Sequence, residues 1–391
     1  MHPCACKLEP LPPLALNLLL TDYEPTMTTT PDITLIGGGA IGLLTARELI
    51  KAGASVTVIE KNTLGQESSW AGGGILLPLY PWRQAEAITH LVLQSFSLYP
   101  TLAAELSAET GIDPEWTQCG LLITQNPDIA AATAWCLRHE VAFQAADPAL
   151  FKALDTQPEH PLWLPDIAQA RNPRLVKSLR QDLLNKGANL IEHCGLLGIN
   201  RTGTRITSID TDCGTLAVNQ VLMTAGAWTG QLFKQLFPES HTAPHIAPVK
   251  GQMLLFDAPP GLLPTMVLDG DQYLIPRRDG KILAGSTVEH DDFNKTTSLA
   301  AKERLAAFAL KLLPALKTAP LLAHWAGLRP GTEHGVPYIA KHPEFDNLSI
   351  NAGHFRNGLV MGPASAQLMA DLILNRPPHI APEPYQLGRP H

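Results

Sequence analysis

Three glycines open the part of the chain best placed to do chemistry. Gly37, Gly39 and Gly42 form G-x-G-x-x-G, and Glu60 lies 18 residues beyond the last of them. In a strand–turn–helix setting the first glycine permits a tight turn and the second lets a pyrophosphate reach the backbone. The third lets helix and strand pack closely. The helix that starts there offers N–H groups and a partial positive charge to phosphate. A carboxylate at Glu60 can accept hydrogen bonds from an adenosine ribose and repels a 2′-phosphate. The alternative is a merely tight βαβ turn, which leaves Glu60 unexplained.

A second glycine group, Gly72-Gly73-Gly74, follows Ser68, Ser69 and Trp70. Three glycines in a row suggest backbone pressed against something flat or anionic. A flexible linker is the rival reading, but Trp70, Ile75, Leu76 and Leu77 give the wrong composition for one. Backbone lying on an isoalloxazine ring accounts better for the segment. The 14 histidines include no HExxH and no Cys/His cluster at metal spacing, so no metal site is expected. The six cysteines (Cys4, Cys6, Cys119, Cys136, Cys194 and Cys213) contain no CxxC pair. They read as reduced thiols rather than a disulfide framework.

The elements that must position these residues follow from pattern. Ile33–Ile36 reads as a buried strand, and Leu43, Leu44, Ala46, Leu49 and Ile50 recur at helical spacing before Gly53. Ser55–Ile59 reads as a second strand, and Val218–Ala225 as a further one with its turn. Nine glycines fall between residues 37 and 74. The chain of 391 residues is 45% hydrophobic and 17% charged, enough for a large core and for roughly two to three domains. Its net charge of −7 argues against general nucleic-acid or anionic-membrane binding. Residues 1–30 hold five prolines and one basic residue, Lys7, and supply neither a signal sequence nor a span. They read as a disordered extension, or as a start set too early, with Met27 the working start. With no span elsewhere, the chain is placed in the cytoplasm.

The run IGGGAIGLLTARELIKAG…VIEK…ESSWAGGGIL resembles the N-terminus of the D-amino-acid oxidase superfamily of FAD-dependent oxidoreductases. Within that superfamily it is most similar to the glycine oxidases of thiamine biosynthesis. Two later segments match as well, WAGLRPGT at 325–332 and AGHFRNG at 352–358. The resemblance implies an α/β fold: a discontinuous Rossmann-type FAD-binding domain and an α+β substrate-binding domain with a large antiparallel sheet. The FAD domain would take residues 31–80, 166–244 and 321–378. The substrate domain would take 81–165 and 245–320, with 379–391 a tail.

The resemblance also implies site residues. FAD would lie against Gly37, Gly39, Ala40, Ile41 and Gly42, then Glu60 and Lys61. Ser68, Ser69, Gly73, Gly74 and Ile75 would continue the wall, with Leu196 as a backbone contact to adenine. His354, Phe355, Arg356, Asn357, Gly358, Leu359 and Val360 would line the flavin, ahead of a helical stretch Met361–Leu374. That helix N-terminus would face the pyrimidine carbonyl, where negative charge grows on reduction. No cysteine follows Cys213, so a late covalent link is ruled out and the FAD is expected to be noncovalent.

For the substrate, the resemblance makes Arg329 a carboxylate clamp, since a guanidinium takes a carboxylate as a planar bidentate pair. Without it, an arginine before a Pro-Gly turn reads as surface charge. Tyr273 is the implied hydroxyl partner of that carboxylate, with a core aromatic as the alternative. Arg356 is implied to reach the substrate, with a structural salt bridge as its rival. Asp271 stands where some members carry a histidine, which leaves amine recognition open. The implied reaction is oxidative deamination of glycine to glyoxylate, ammonia and hydrogen peroxide, by hydride transfer to flavin N5. Sarcosine and small D-amino acids would be further substrates, oxygen the acceptor, and the glycine imine a supply for thiazole synthesis. A quinone-linked D-amino-acid dehydrogenase is the alternative. An NAD-binding or noncatalytic regulatory protein is a third reading, opposed by the triple glycine and both late motifs. Related enzymes are commonly oligomeric, so a homo-oligomer is also implied.

Overall fold

The computed structural model describes residues 30–126, 128–290 and 292–388. The expectations for residues 1–29 therefore fall outside the described residues. Ile33–Ile36 and Val56–Ile59 are buried at every position, as parallel strands covered on both faces must be. They pair in parallel, with Ile33 opposite Val56 and Ile36 opposite Ile59. The second strand begins one residue later than its composition suggests. Ser55 is held off the ladder by Asp32, whose Oδ2 accepts both its N–H and its hydroxyl at 2.8 Å.

These two strands belong to a six-stranded sheet in the order Tyr338–Lys341, Leu348–Ala352, Gln220–Met223, Ile33–Ile36, Val56–Ile59, Asn189–Ile191. All neighbours are parallel except the first pair. The helix Ala40–Lys51 follows the first strand, and Gly53 at φ +92° turns the chain back toward the second. Its Arg47 is only 2% exposed. Nε of Arg47 lies 2.9 Å from Asp182 on the helix Asn172–Asn185, and Nη2 lies 2.8 Å from Glu105 on Glu86–Thr110. A buried charge between three helices tolerates only one register of packing.

The second large sheet has eight strands, in the order Leu321–Gly331, Ala247–Phe256, Ile282–Gly285, Gln272–Pro276, Met266–Asp269, Leu121–Ile123, Leu162–Leu164, Gln144–Ala145. It is antiparallel apart from one parallel pairing, Met266–Asp269 with Leu121–Ile123. Leu254, Leu274 and Ile282 on one face pack with Leu305, Ala309 and Leu312 of the helix Leu299–Leu312. The strand Leu321–Gly331, which sequence reasoning grouped with 321–378, pairs along its length with Ala247–Phe256. It thus lies in this sheet, with Arg329 opposite Val249.

Three other expectations are adjusted. A single helical turn, Ser68–Ala71, precedes the three glycines, a turn their composition did not signal, because the Trp70 and Ala71 N–H groups both donate to Glu67 O. The last helix runs Gly358–Ile373 rather than Met361–Leu374, since a glycine is readily accommodated in a first helical turn. Part of the 379–391 tail is anchored: Tyr385 is fully buried and its hydroxyl donates to Ala87 O at 2.7 Å. No helix among the described residues is long and apolar enough to cross a membrane.

Candidate active site

One cavity runs from the C-terminal ends of the parallel strands to the strand Leu321–Gly331, where such sheets commonly take ligands. At its first end Gly37 has φ +112°, and a Cβ there would sit 2.6 Å from Thr224 O. Gly42 does not line the cavity. A Cβ on it would lie 2.2 Å from Gly37 O, so its part is to let helix and strand touch. Gly39 differs: a Cβ there would meet only Ser69 Oγ, at 3.1 Å, and would otherwise project into open space. The N-cap residue of the helix Ala40–Lys51 is Gly39, which has no side chain to cap it, and the Ala40 N–H donates instead to Ser69 Oγ at 2.8 Å. Ala40 and Ile41 line the cavity beside it.

Glu60 closes the same end. Its Oε2 accepts the Gly38 N–H at 2.9 Å and its Oε1 the Asn62 N–H at 3.0 Å. The Lys61 ammonium sits 3.6 Å over the Trp228 ring, and partial burial pushes its pKa down. Leu196 lines the wall with Cys194 and Gly195.

The triple-glycine segment forms the middle of the cavity. Ser68 Oγ donates to Leu328 O, and the Trp325 indole donates to Ala71 O at 3.0 Å. Ser69, Gly73, Gly74 and Ile75 all face the space. A Cβ on Gly73 would come within 2.8 Å of Ile275 and 3.2 Å of the Tyr273 ring. Two residues that sequence reasoning missed hold this segment. Arg277 is 7% exposed and donates to Gly73 O at 2.7 Å and to Gln169 Oε1 at 2.6 Å. Burial pushes its guanidinium down to about 10. Asn172 donates to Ser69 O at 2.9 Å, while its buried Oδ1 has no partner.

At the far end Arg329 lies against bare backbone. A Cβ on Gly251 would fall 2.2 to 2.4 Å from its guanidinium atoms, so any side chain there must push the guanidinium aside. Nη1 donates to Thr287 O at 3.1 Å and Lys250 O at 3.3 Å, and Nη2 donates to Ser286 Oγ at 2.8 Å. These bonds use three of the five guanidinium donors, and the Tyr273 hydroxyl also hydrogen-bonds the group. Burial pushes the Arg329 pKa down, and the neighbouring Tyr273 hydroxyl pulls it back up. Arg356 is exposed at the cavity wall, near enough for its charge to bear on Arg329. Among the described residues neither guanidinium has a carboxylate within salt-bridge distance. Tyr273 and Met253 complete this end, with the Tyr273 hydroxyl 3.5 Å from Met253 Sδ. Asp271 is exposed and does not line the cavity.

The 354–360 segment supplies backbone more than side chain. Phe355, at φ +48°, Asn357, Gly358 and Leu359 face the cavity, as does His354. The His354 imidazole, however, turns inward, with Nε2 2.7 Å from Ser365 Oγ, and burial pushes it down to about 3. Val360 does not belong to the wall. It is 2% exposed and packs in the core on the inner side of its helix. The helix Gly358–Ile373 has no capping side chain from its own N-cap residue either, and both helix N-termini open into one cavity. That donor set, with the Glu60 carboxylate and a bare glycine backbone in the wall, fits a flavin dinucleotide.

Comparison with known proteins agrees with the geometry. The family model described as FAD dependent oxidoreductase matches residues 32–372. The chain is 45% identical over 360 residues to a glycine oxidase of Pseudomonas putida, covering 90% of this chain and 97% of that one. The crystal structure of glycine oxidase from Geobacillus kaustophilus superposes with a TM-score of 0.85 at 30% identity, covering 93% of this chain and 99% of that one. A Synechocystis bifunctional protein ThiO/ThiG is 30% identical over 361 residues, which is 90% of this chain and 52% of that protein.

Proposed function

The chain belongs to the FAD-dependent oxidoreductase family, and on that premise we propose that it is an amine oxidase acting on glycine with noncovalent FAD. The observation that carries the proposal is Arg329, held by neutral groups with no carboxylate partner among the described residues and with the Tyr273 hydroxyl beside it, inside the cavity that holds the dinucleotide cradle. Arg329 takes the substrate carboxylate side-on, and Tyr273 donates to the same carboxylate. Arg356 adds positive charge at the wall and draws the anion in. Met253 and Tyr273 crowd the space beyond the clamp, which favours a substrate without a bulky α-substituent.

Bound FAD supplies the acceptor for the hydride that leaves the α-carbon. The backbone wall from residue 354 to 359 and the Gly73–Ile75 backbone hold it and keep bulk water away. Gly37, Gly39, Ala40 and Ile41 take the pyrophosphate, Glu60 and Lys61 the ribose side, and Leu196 the adenine. The net reaction converts glycine, water and oxygen to glyoxylate, ammonia and hydrogen peroxide. Sarcosine and small D-amino acids are secondary substrates. The likeness to a ThiO/ThiG fusion supports a role for the imine in thiazole synthesis in the cytoplasm. In this reading residues 81–165 and 245–320 form the substrate side. Peroxide release from glycine, sarcosine, D-alanine and D-proline, repeated anaerobically with a quinone analogue, tests the proposal. Glycine-dependent peroxide is expected; quinone reduction without peroxide in air would replace it with a dehydrogenase.

A further inference from the structure

At the adenosine end of the cavity the fold brings together two thiols that lie 19 residues apart in sequence. Thr211 pairs with Leu196, and the Asp212 N–H donates to Gly195 O at 3.1 Å. Cys213 follows in the two-residue turn between the strands Arg205–Thr211 and Gly214–Ala217, and Cys194 lies two residues before the strand Leu196–Thr202. Neither backbone N–H of that pair crosses the ladder: Cys194 N–H donates to Glu60 O, and Cys213 N–H to Thr211 Oγ1. The turn brings the Cys213 side chain back to that of Cys194. The sulfur atoms and the Asp212 carboxylate lie within 4.8 Å of one another. Cys194 is buried and lines the cavity, while Cys213 is exposed. One thiol can therefore meet a solute first and the other can resolve the product.

We propose that Cys194 and Cys213 form a peroxide-oxidised pair, closing to a disulfide that ties the Leu196 wall of the cofactor cavity to the neighbouring hairpin turn. The Cys213 thiolate attacks one peroxide oxygen, the O–O bond breaks, and the departing hydroxide leaves as water, giving Cys213 sulfenic acid. The Cys194 sulfur then attacks the sulfenic sulfur. The S–S bond forms, the S–O bond breaks, and hydroxide leaves with the Cys194 proton as a second water. Two thiols are oxidised and one hydrogen peroxide is reduced. That turnover itself supplies the peroxide rests on the oxidase reading; the geometry of the pair does not. The Cys194 thiol and the Asp212 carboxylate push the Cys213 thiol up to about 11, so the attack is slow at neutral pH.

The test uses full-length, FAD-loaded protein, treated with a chelator and then with added hydrogen peroxide at about pH 8.5, where more thiolate is present. Alkylation and peptide mass spectrometry read the result. A bridged peptide linking Cys194 and Cys213, with a loss of two mass units and two fewer titratable thiols, is expected. Cys213→Ser, a change at an exposed position, should abolish it while FAD content stays the same. A second arm replaces added peroxide by glycine in air. Bridging by peroxide but not by glycine leaves the pair established and counts against the oxidase reading alone. Protein that keeps both thiols reduced after added peroxide overturns the proposal. So does zinc protection of both thiols with no bridge in the chelated sample, which would make the Cys194–Asp212–Cys213 cluster a metal site instead.

Discussion

Arg329 is held entirely by neutral acceptors, two carbonyls and two hydroxyls, so its charge stays available to a ligand. Replacing it by leucine should leave FAD bound, by absorbance, and lower glycine-dependent peroxide formation at least ~100-fold, the scale set by losing a buried charge-assisted pair. Gly251→Ala is a milder change at the same spot. Its methyl would fall within 2.4 Å of the guanidinium, so the clamp must shift. The KM for glycine should rise about tenfold or more while FAD content is retained, as steady-state kinetics would show. Gly39→Val separates cofactor loss from misfolding. The space beyond its α-carbon is open in the protein, so the variant should fold and yet purify with little flavin. Normal FAD content in that variant would count against the pyrophosphate assignment.

Among elements, the triple-glycine segment depends on the strand end that carries Arg277. Arg277 donates to Gly73 O, Gln169 Oε1 and Ala170 O, and loss of a hydrogen bond from a buried cation costs about 1.5–3 kcal/mol by the usual measure. Arg277→Leu should therefore lower the Tm and the FAD content together, with excess FAD restoring part of both. This residue also shows where sequence reasoning stops. Arg277 and Arg278 stand side by side before Asp279 and Gly280, a composition typical of a surface turn. One is buried against Gly73 O while the other is exposed, and only the strand partners decide which. The opening strand, helix and second strand were legible because hydrophobic periodicity and turn glycines are local signals. Gly251 had a weaker signal, an isolated glycine in a strand, which marks a close approach by something unnamed. Val360 was misplaced because its neighbours in sequence face the cavity, whereas helix geometry turns it inward. The Cys194–Cys213 approach follows from a turn beyond a strand pairing with two irregularities, which spacing does not reveal.

For the molecule as a whole, two buried imidazoles contribute to its acid sensitivity. His354 is pushed down to about 3 and His342 to about 4, each chiefly by burial. His342 accepts the Glu344 N–H through Nδ1 at 3.1 Å and stacks on Phe233 at 5.1 Å. Both values lie below the ordinary 6.5. As pH falls through 6.5 the unfolded chain takes up protons that the folded chain refuses. Stability is thus complete above about pH 6.5 and declines toward pH 4, at about 1.4 kcal/mol per pH unit for each histidine. Melting curves between pH 7 and 5 should show the decline. His342→Phe, which keeps the aromatic stack, should remove about half of it.

The strand Leu321–Gly331 carries Arg329, and it is gripped from the cofactor side by Ser68 and, through Trp325, by Ala71. Flavin loading and substrate selection consequently share one mechanical part. Glycine is therefore expected to bind more tightly to FAD-loaded than to FAD-free protein, as calorimetry on both forms would show. Directed evolution toward bulkier amines should accordingly recover changes near residues 68–71 and 325, well behind the substrate pocket, alongside those that widen it.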